Sequence, residues 1–290
     1  MPEPIFPEKH LVRRSFERAA ATYDESASLQ REVGERLLAH LDPMRVDPKR
    51  VLDLGSGTGV FFAPLAERFP RAELVAIDVA TNMLRLARRR TPLWRRALGS
   101  RVPHLVCADA ERLPLAAASV DLIFSNLALQ WCRPHEVFAE AARVLPTGGL
   151  FLFSTFGPDT LKELRAAFAA VDAEAHVNTF IDMHDLGDRL MAAGLGDPVM
   201  EMEHLTVEYA RVDAVARDLK RIGAHNVLPG RPRGLSGRAR WMRMVAAYEA
   251  QRRDGAIPAT YEVIYGHAWK AQPRRAADGR QVIDFHGSLR

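Results

Sequence analysis

The stretch VLDLGSGTG, residues Val51 to Gly59, reads as a buried parallel strand that turns tightly into a helix. An apolar run carrying an acid, Asp53, gives way to glycines at alternate positions, Gly55, Gly57 and Gly59, with Ser56 between the first two. Glycine lets the backbone take positive φ and come close to a bound molecule, and the N–H groups that open the next helix are expected to face the same crevice. Asp78 closes the next apolar run, LVAID, about twenty residues on, where a carboxylate in an alternating strand–helix fold hydrogen-bonds a ribose diol. The pairing predicts a nucleoside.

Charge says which one. A dinucleotide fold requires G-x-G-x-x-G, whose last glycine lets the helix pack beside the pyrophosphate, and Val60 stands at that position. Asp53 beside the loop repels a phosphate and suits an ammonium group. S-Adenosylmethionine, with its ribose, adenine, cationic amino acid and sulfonium, satisfies both acids. Val79 and Met83, just past Asp78, are counted with the same cofactor site.

The chain has 290 residues, 48% of them hydrophobic, enough for one substantial α/β core with an accessory element. No apolar run reaches membrane-spanning length, and MPEPIFPEKH at the start lacks the features of a secretory signal, so a cytoplasmic protein without membrane association is expected. Cys107 and Cys132 form neither a CxxC pair nor a His/Cys cluster; both are expected to be buried thiols, with no metal site. The net charge is only +4 but unevenly spread. Arg85 to Arg101 contains Arg88, Arg89, Arg90, Arg95 and Arg96 and no acid, and Arg217 to Arg243 holds Lys220, Arg221, Arg231, Arg233, Arg238 and Arg240 against Asp218 alone. A single arginine reads as a solvated surface residue, whereas two patches of one sign attract an acidic macromolecule.

Two helices, about Leu11 to Tyr23 and Ala27 to Leu41, form an N-terminal cap over residues 1–45, with Phe16 and Tyr23 toward one side and Tyr23-Asp24 covering the methionine end of the cofactor. From Val51 strands alternate with helices: Glu73 to Ile77, His104 to Cys107, Val120 to Ser125 and Leu150 to Thr155 follow the first, the pattern of a Rossmann-like doubly wound parallel sheet. Helices are expected from Asp159 to Val171 and about Asp185 to Ala193, and strands near Met200 to Tyr209 and Tyr261 to Trp269 complete a seven-stranded, mostly parallel α/β sheet within residues 46–270. Between those two strands, Arg211 to Pro258 reads as a helical insertion carrying the second basic patch and the loop LPGRPRGLSG, expected to be a substrate lid. Residues 271–290 form a tail. Asp109, after the third strand, either accepts from the adenine amino group, with the Ala110 N–H meeting a ring nitrogen, or caps a helix. Asn126, Gln130 and Trp131 follow the fourth strand, where the transferring methyl is expected, and with Tyr23 are the candidate positioning residues; Trp131 reads equally well as core.

On these residues the chain resembles the class I S-adenosylmethionine-dependent methyltransferases, through VLDLGSGTG, Asp78, Asp109 and LPTGG over Val51 to Thr155. Four further stretches, RRSFERAAATYD from Arg13, SNLALQWC from Ser125, FGPDTLKEL from Phe156 and DLKRIGAHNVLPGRPRG from Asp218, are similar to the BioC family, the malonyl-acyl-carrier-protein O-methyltransferases of biotin synthesis. Ser56 departs from the Cys common in that family's glycine loop but keeps a small side chain. The resemblance implies methylation of the free carboxylate of a malonyl thioester. A carboxylic acid with an ordinary pKa of about 4 is already anionic at neutral pH, so no general base is needed, and no catalytic acid–base set is evident. Because carrier proteins are acidic, the resemblance gives Lys220, Arg221, Arg231 and Arg233 a partner. Arg13, His225 and Tyr265 are the candidates for gripping the carboxylate. A monomer that binds no nucleic acid is expected. Three other readings stand beside this one: an RNA methyltransferase, a methyltransferase of another small carboxylate, and a protein hydroxylase. The last rests on PATYEVIYGHAWK at Pro258 to Lys270, which is also similar to a mitochondrial complex I assembly-factor branch.

Overall fold

The structure, a computed structural model, describes residues 6–90, 102–227 and 237–272. Its strands are β1 (Arg50–Leu54), β2 (Glu73–Asp78), β3 (His104–Cys107), β4 (Leu122–Ser125), β5 (Leu150–Phe156), β6 (Leu195–Tyr209) and β7 (Ile257–Lys270). They make one seven-stranded sheet in the order β3-β2-β1-β4-β5-β7-β6. The first five run parallel, and β7 lies antiparallel to both of its neighbours. The expected mixed α/β sheet is therefore the observed one.

The central strands are almost uniformly apolar because both of their faces are covered. Val51 on β1 points into one core cluster, and Leu52 and Leu54 point into the other. On the first face lie α2 (Ser28–Ala39), α3 (Phe62–Arg68), α6 (Lys162–Ala169), α8 (Val212–Arg221) and α9 (Arg238–Glu249). On the second lie α5 (Pro134–Val144) and α7 (Met183–Ala192). Two helices, α1 (Lys9–Ser26) and α4 (Thr81–Arg90), enclose the small cluster of Ala20, Ala80 and Met83.

Three expectations need correction. Helix α6 starts at Lys162 rather than Asp159, because Leu161 takes a left-handed φ of 56° and donates its N–H to the Thr260 carbonyl of β7. Strand β6 begins at Leu195, ahead of Met200, by way of a bulge between Gly196 and Val199. Cys107 is exposed, not buried, because β3 is an edge strand; Cys132 is buried as expected. Among the described residues no helix is long and apolar enough to cross a membrane.

Candidate active site

The strand order reverses between β1 and β4, and ligands of open α/β sheets bind outside the carboxyl ends of the strands at such a point. The glycine loop leaves β1 there. Gly55 has φ +77° and a Cβ on it would lie 2.4 Å from the Ala128 Cβ, so the position excludes every side chain. Gly57 has φ +53° with nothing within 4 Å of its missing Cβ. Gly59 has φ +77°, but its side faces the Phe62 ring, so it shapes the turn and does not line the cleft.

Four amides of the glycine loop are spent within the protein. Gly55 and Ser56 donate to the Ile77 carbonyl at 2.8 and 3.0 Å, Gly59 donates to the Ser56 carbonyl at 2.9 Å, and Gly57 donates to Asp78 Oδ2 at 2.9 Å. A pyrophosphate needs such donors free. This loop instead offers close backbone approach and carboxylates.

Two cavities share Tyr23, Gly55, Gly57 and Asn126 and form one cleft around the loop. The larger, about 670 Å³, is lined by Asp78, Val79, Met83, Asp109, Ala110 and Trp131 among others. The smaller, about 450 Å³, is lined by Gln30, Arg31, Asp53 and Ser56. In it Asp53 Oδ2, Gln30 Oε1 and Ser56 Oγ are buried without a hydrogen-bond partner. Burial, and then the nearby charge of Asp78, push the Asp53 carboxyl up to about 8. An ammonium group would satisfy these acceptors, and the Arg31 guanidinium on the same wall suits the carboxylate of an amino acid. At the other end Asp78 Oδ1 accepts from the Ala80 N–H at 2.7 Å, and burial raises its carboxyl to about 6 against the bonds from Ala80 and Gly57. Each of its oxygens keeps a lone pair for a hydroxyl. This set of donors and acceptors fits S-adenosylmethionine from end to end.

The lid over the cleft is α1, whose Lys9, Val12, Phe16 and Tyr23 line it. Polar contacts hold that helix down. Lys9 Nζ donates to Asp109 Oδ1 at 2.8 Å, and Glu17 caps α4 through the Thr81 and Asn82 N–H groups at 2.7 and 2.9 Å. Asp24 accepts from Thr58 Oγ1 and Arg90 Nη2, both at 2.6 Å. Asp24 thus fastens the glycine loop, while Tyr23 alone of that pair lines the cleft. Asp109 caps no helix: its Oδ1 accepts from the Glu111 N–H at 3.0 Å in a local turn, and the residue lines the larger cavity. Lys9, Gln30 and Arg31 were not foreseen; a helical residue facing a cleft leaves no local signature.

A further cavity of about 560 Å³ lies beyond Trp131 and Gln30, which line both it and the cofactor cleft. Gln130 lines this cavity, the candidate acceptor cavity, rather than the cleft, with Nε2 donating to the Leu127 carbonyl at 2.6 Å. Asn126 is held at both ends, donating to the Gln30 carbonyl at 2.8 Å and accepting from Ser154 Oγ at 2.8 Å, so its orientation in the wall is fixed. Trp131 packs edge-on against Phe16 with ring centroids 5.3 Å apart, both rings lining the cleft. Of the three candidates for the carboxylate, only His225 lines the acceptor cavity. Arg13 reaches toward Glu17 on the surface, and Tyr265 stacks on His40 and donates to Glu203 Oε1 at 2.6 Å.

The basic patches are also smaller than the sequence suggests. Arg90 is taken by Asp24, Arg217 by Asp213, Arg221 by Glu25 and Arg240 by Asp172 and Glu174, acids distant in sequence or outside the runs. Lys220, Arg238 and Arg243 are exposed. Arg231 and Arg233, like Arg95 and Arg96, lie outside the described residues.

Residues 52–153 match a family described as a methyltransferase domain. The malonyl-acyl-carrier-protein O-methyltransferase of Laribacter hongkongensis is 54% identical over 99% of this chain and 98% of its own length. The chain belongs to the malonyl-acyl-carrier-protein O-methyltransferase family. The member from Legionella pneumophila is 40% identical over 92% of this chain and 93% of its own. Among solved structures, the YcgJ protein of Bacillus subtilis covers 82% of this chain and 99% of its own at 18% identity, with a TM-score of 0.57. Phosphoethanolamine N-methyltransferase 2 of Haemonchus contortus, solved with S-adenosyl-L-methionine, covers 88% of this chain and 57% of its own at 16% identity and a TM-score of 0.54. These two structures share the fold of the family.

Proposed function

We propose that this chain methylates the free carboxylate of malonyl-acyl-carrier protein, giving the methyl ester that primes pimeloyl synthesis on the way to biotin. The observation that carries the reading is a separation of charge. The cofactor cleft is lined by three carboxylates, Asp53, Asp78 and Asp109, against the cations Lys9 and Arg31, whereas the acceptor cavity, among the described residues, is lined by no Asp or Glu. Arg18 and Lys220 act on His225 at its wall strongly enough that they, after burial, lower the imidazole pKa. A cation therefore suits the first space and an anion the second.

S-Adenosylmethionine, when bound, supplies an electrophilic methyl group on a sulfonium sulfur. Asp53, Gln30 and Arg31 hold its amino-acid end, Asp78 the ribose hydroxyls, and Asp109 with Ala110 the adenine. Val79 and Met83 flank the nucleoside, Ser56 and Gly57 border the methionine, and Tyr23 and Phe16 cover it. Gln30 and Trp131 stand between the two spaces, where they align the acceptor and exclude water. Positioning of this kind supplies about 7–11 kcal/mol of a barrier without any acid or base. Helix α8 and residues 222–226 wall the acceptor cavity through Leu219, Ile222 and His225, which supports the insertion as a substrate lid. Exposed Lys220 beside that wall is the proposed contact for an acidic carrier.

Incubation with labelled S-adenosylmethionine and malonyl-, succinyl- and acetyl-carrier proteins tests the reading by intact mass. One methyl group on the malonyl form alone is the expected result. Transfer to the acetyl form, or to none, overturns it.

A further inference from the structure

Most polar side chains lining the acceptor cavity are bonded to the protein, and His225 is the candidate for gripping the acceptor's carboxylate. Thr160 Oγ1 donates to the Glu262 carbonyl at 3.1 Å, and His176 Nε2 lies 2.9 Å from Asp172 Oδ1. Gln130 is bonded at both ends, and Asn226 donates to the Ala175 carbonyl. Gln30 also has a buried, unpartnered oxygen, but it lines the cofactor cleft as well, beside Asp53 and Ser56, where the ammonium proposed above would supply its donor. Asn178 lines the acceptor cavity alone, is 9% exposed, and its Oδ1 has no partner. Burying an amide carbonyl without a donor costs about 1–3 kcal/mol, so such an oxygen marks where a ligand's donor belongs.

The acceptor's chemistry narrows that donor. A malonyl thioester offers only acceptors: a carboxylate and a thioester carbonyl. The first N–H lies beyond the sulfur, in the amide of the pantetheine arm. A primary amide side chain pairs with such a group in two directions, its oxygen accepting from the N–H and its nitrogen donating to the carbonyl. We propose that Asn178 is a specificity-determining residue that binds the first amide of the acceptor's pantetheine arm, and so sets how deep the malonyl group reaches toward Gln30 and Trp131. This rests on the carrier-thioester reading above.

Two small thioesters separate the possibilities: malonyl-N-acetylcysteamine, and its analogue in which the amide N–H is replaced by CH2. Each is titrated calorimetrically into protein saturated with S-adenosylhomocysteine. The unaltered protein is expected to bind the amide compound about tenfold more tightly, the discrimination that one lost hydrogen bond gives. Asn178→Ala is expected to bind both equally, and Asn178→Asp, which keeps an acceptor oxygen, to retain the preference. All three should bind S-adenosylmethionine within twofold of one another, which reports an intact fold. A ratio near one in the unaltered protein, or a ratio that Asn178→Ala leaves unchanged, overturns the assignment. Failure to methylate malonyl-carrier protein is read in a separate assay and refutes the broader reading instead.

Discussion

Lys9, in the first turn of α1, places its ammonium 2.8 Å from Asp109 Oδ1 and 3.0 Å from Glu111 Oε1, closing the N-terminal helix onto the loop after β3. The same nitrogen lies 3.3 Å from the buried Cys132 thiol. That side of the cleft is thus shut by a contact between residues 100 positions apart. Replacing Lys9 by Met keeps the apolar stem and removes the charge. Both partners are about one-third exposed, which limits the pair to roughly 1 kcal/mol, so S-adenosylmethionine affinity is expected to fall about fivefold in calorimetry. Proteolysis within α1 should become faster in the same variant.

Asp53→Asn is expected to move affinity and stability in opposite directions. The buried carboxyl has its folded pKa raised from 3.8 to about 8. Any stability associated with it is fully present below the lower value and lost progressively as pH rises to the upper one. An amide does not titrate. The variant's melting temperature should therefore gain on the unaltered protein between pH 5 and about 8, while S-adenosylmethionine binding weakens more than tenfold.

Cofactor binding should itself depend on pH. The ammonium of the cofactor requires ionised Asp53, so binding to the protonated form expels a proton, and affinity rises from pH 6 toward about 8. Above about 8 the cofactor's own amino group deprotonates and affinity falls again. Calorimetry in buffers of different ionisation enthalpy should show net proton release at pH 7. A flat profile together with no proton release would count against Asp53 as the ammonium partner.

Alanine at the two cleft-lining glycines should separate folding from binding. At Gly55 the added Cβ meets Ala128 at 2.4 Å on top of an unfavourable φ, so the melting temperature should drop sharply. At Gly57 only the φ strain of about 1–2 kcal/mol applies, since no protein atom lies within 4 Å. That variant should remain folded but bind the cofactor poorly, because its methyl enters space at the cleft wall.

Lys220 and Arg221 sit side by side yet should differ in carrier recognition. Arg221 is already paired with Glu25, whereas Lys220 is exposed. Lys220→Glu is expected to raise KM for malonyl-carrier protein at least fivefold at low salt, and to raise that for malonyl-coenzyme A by less, since the small substrate loses only the cation near His225. Arg221→Ala should instead loosen α1 from α8 and affect both substrates alike. Equal effects of Lys220→Glu on the two substrates would remove it from the carrier interface.

Local patterns determined much of this protein. Strand positions, the VLDLGSGTG turn and the acids Asp53, Asp78 and Asp109 were legible because each depends on period, turn chemistry or an offset within one strand–loop–helix unit. The excluded pyrophosphate was legible from Val60 and Asp53, although the reason that the loop amides are spent on Ile77 and Asp78 was not. Only the folded chain decided which side chains meet across it: Lys9 with Asp109, Gln30 with Asp53 around one cavity, and Arg90 with Asp24. It likewise decided that Tyr265 and Arg13 turn away from the acceptor and that Asn178 remains without a partner inside it. Such pairings join segments tens of residues apart, and their energies depend on burial and on competing hydrogen bonds that exist only once the layers have packed.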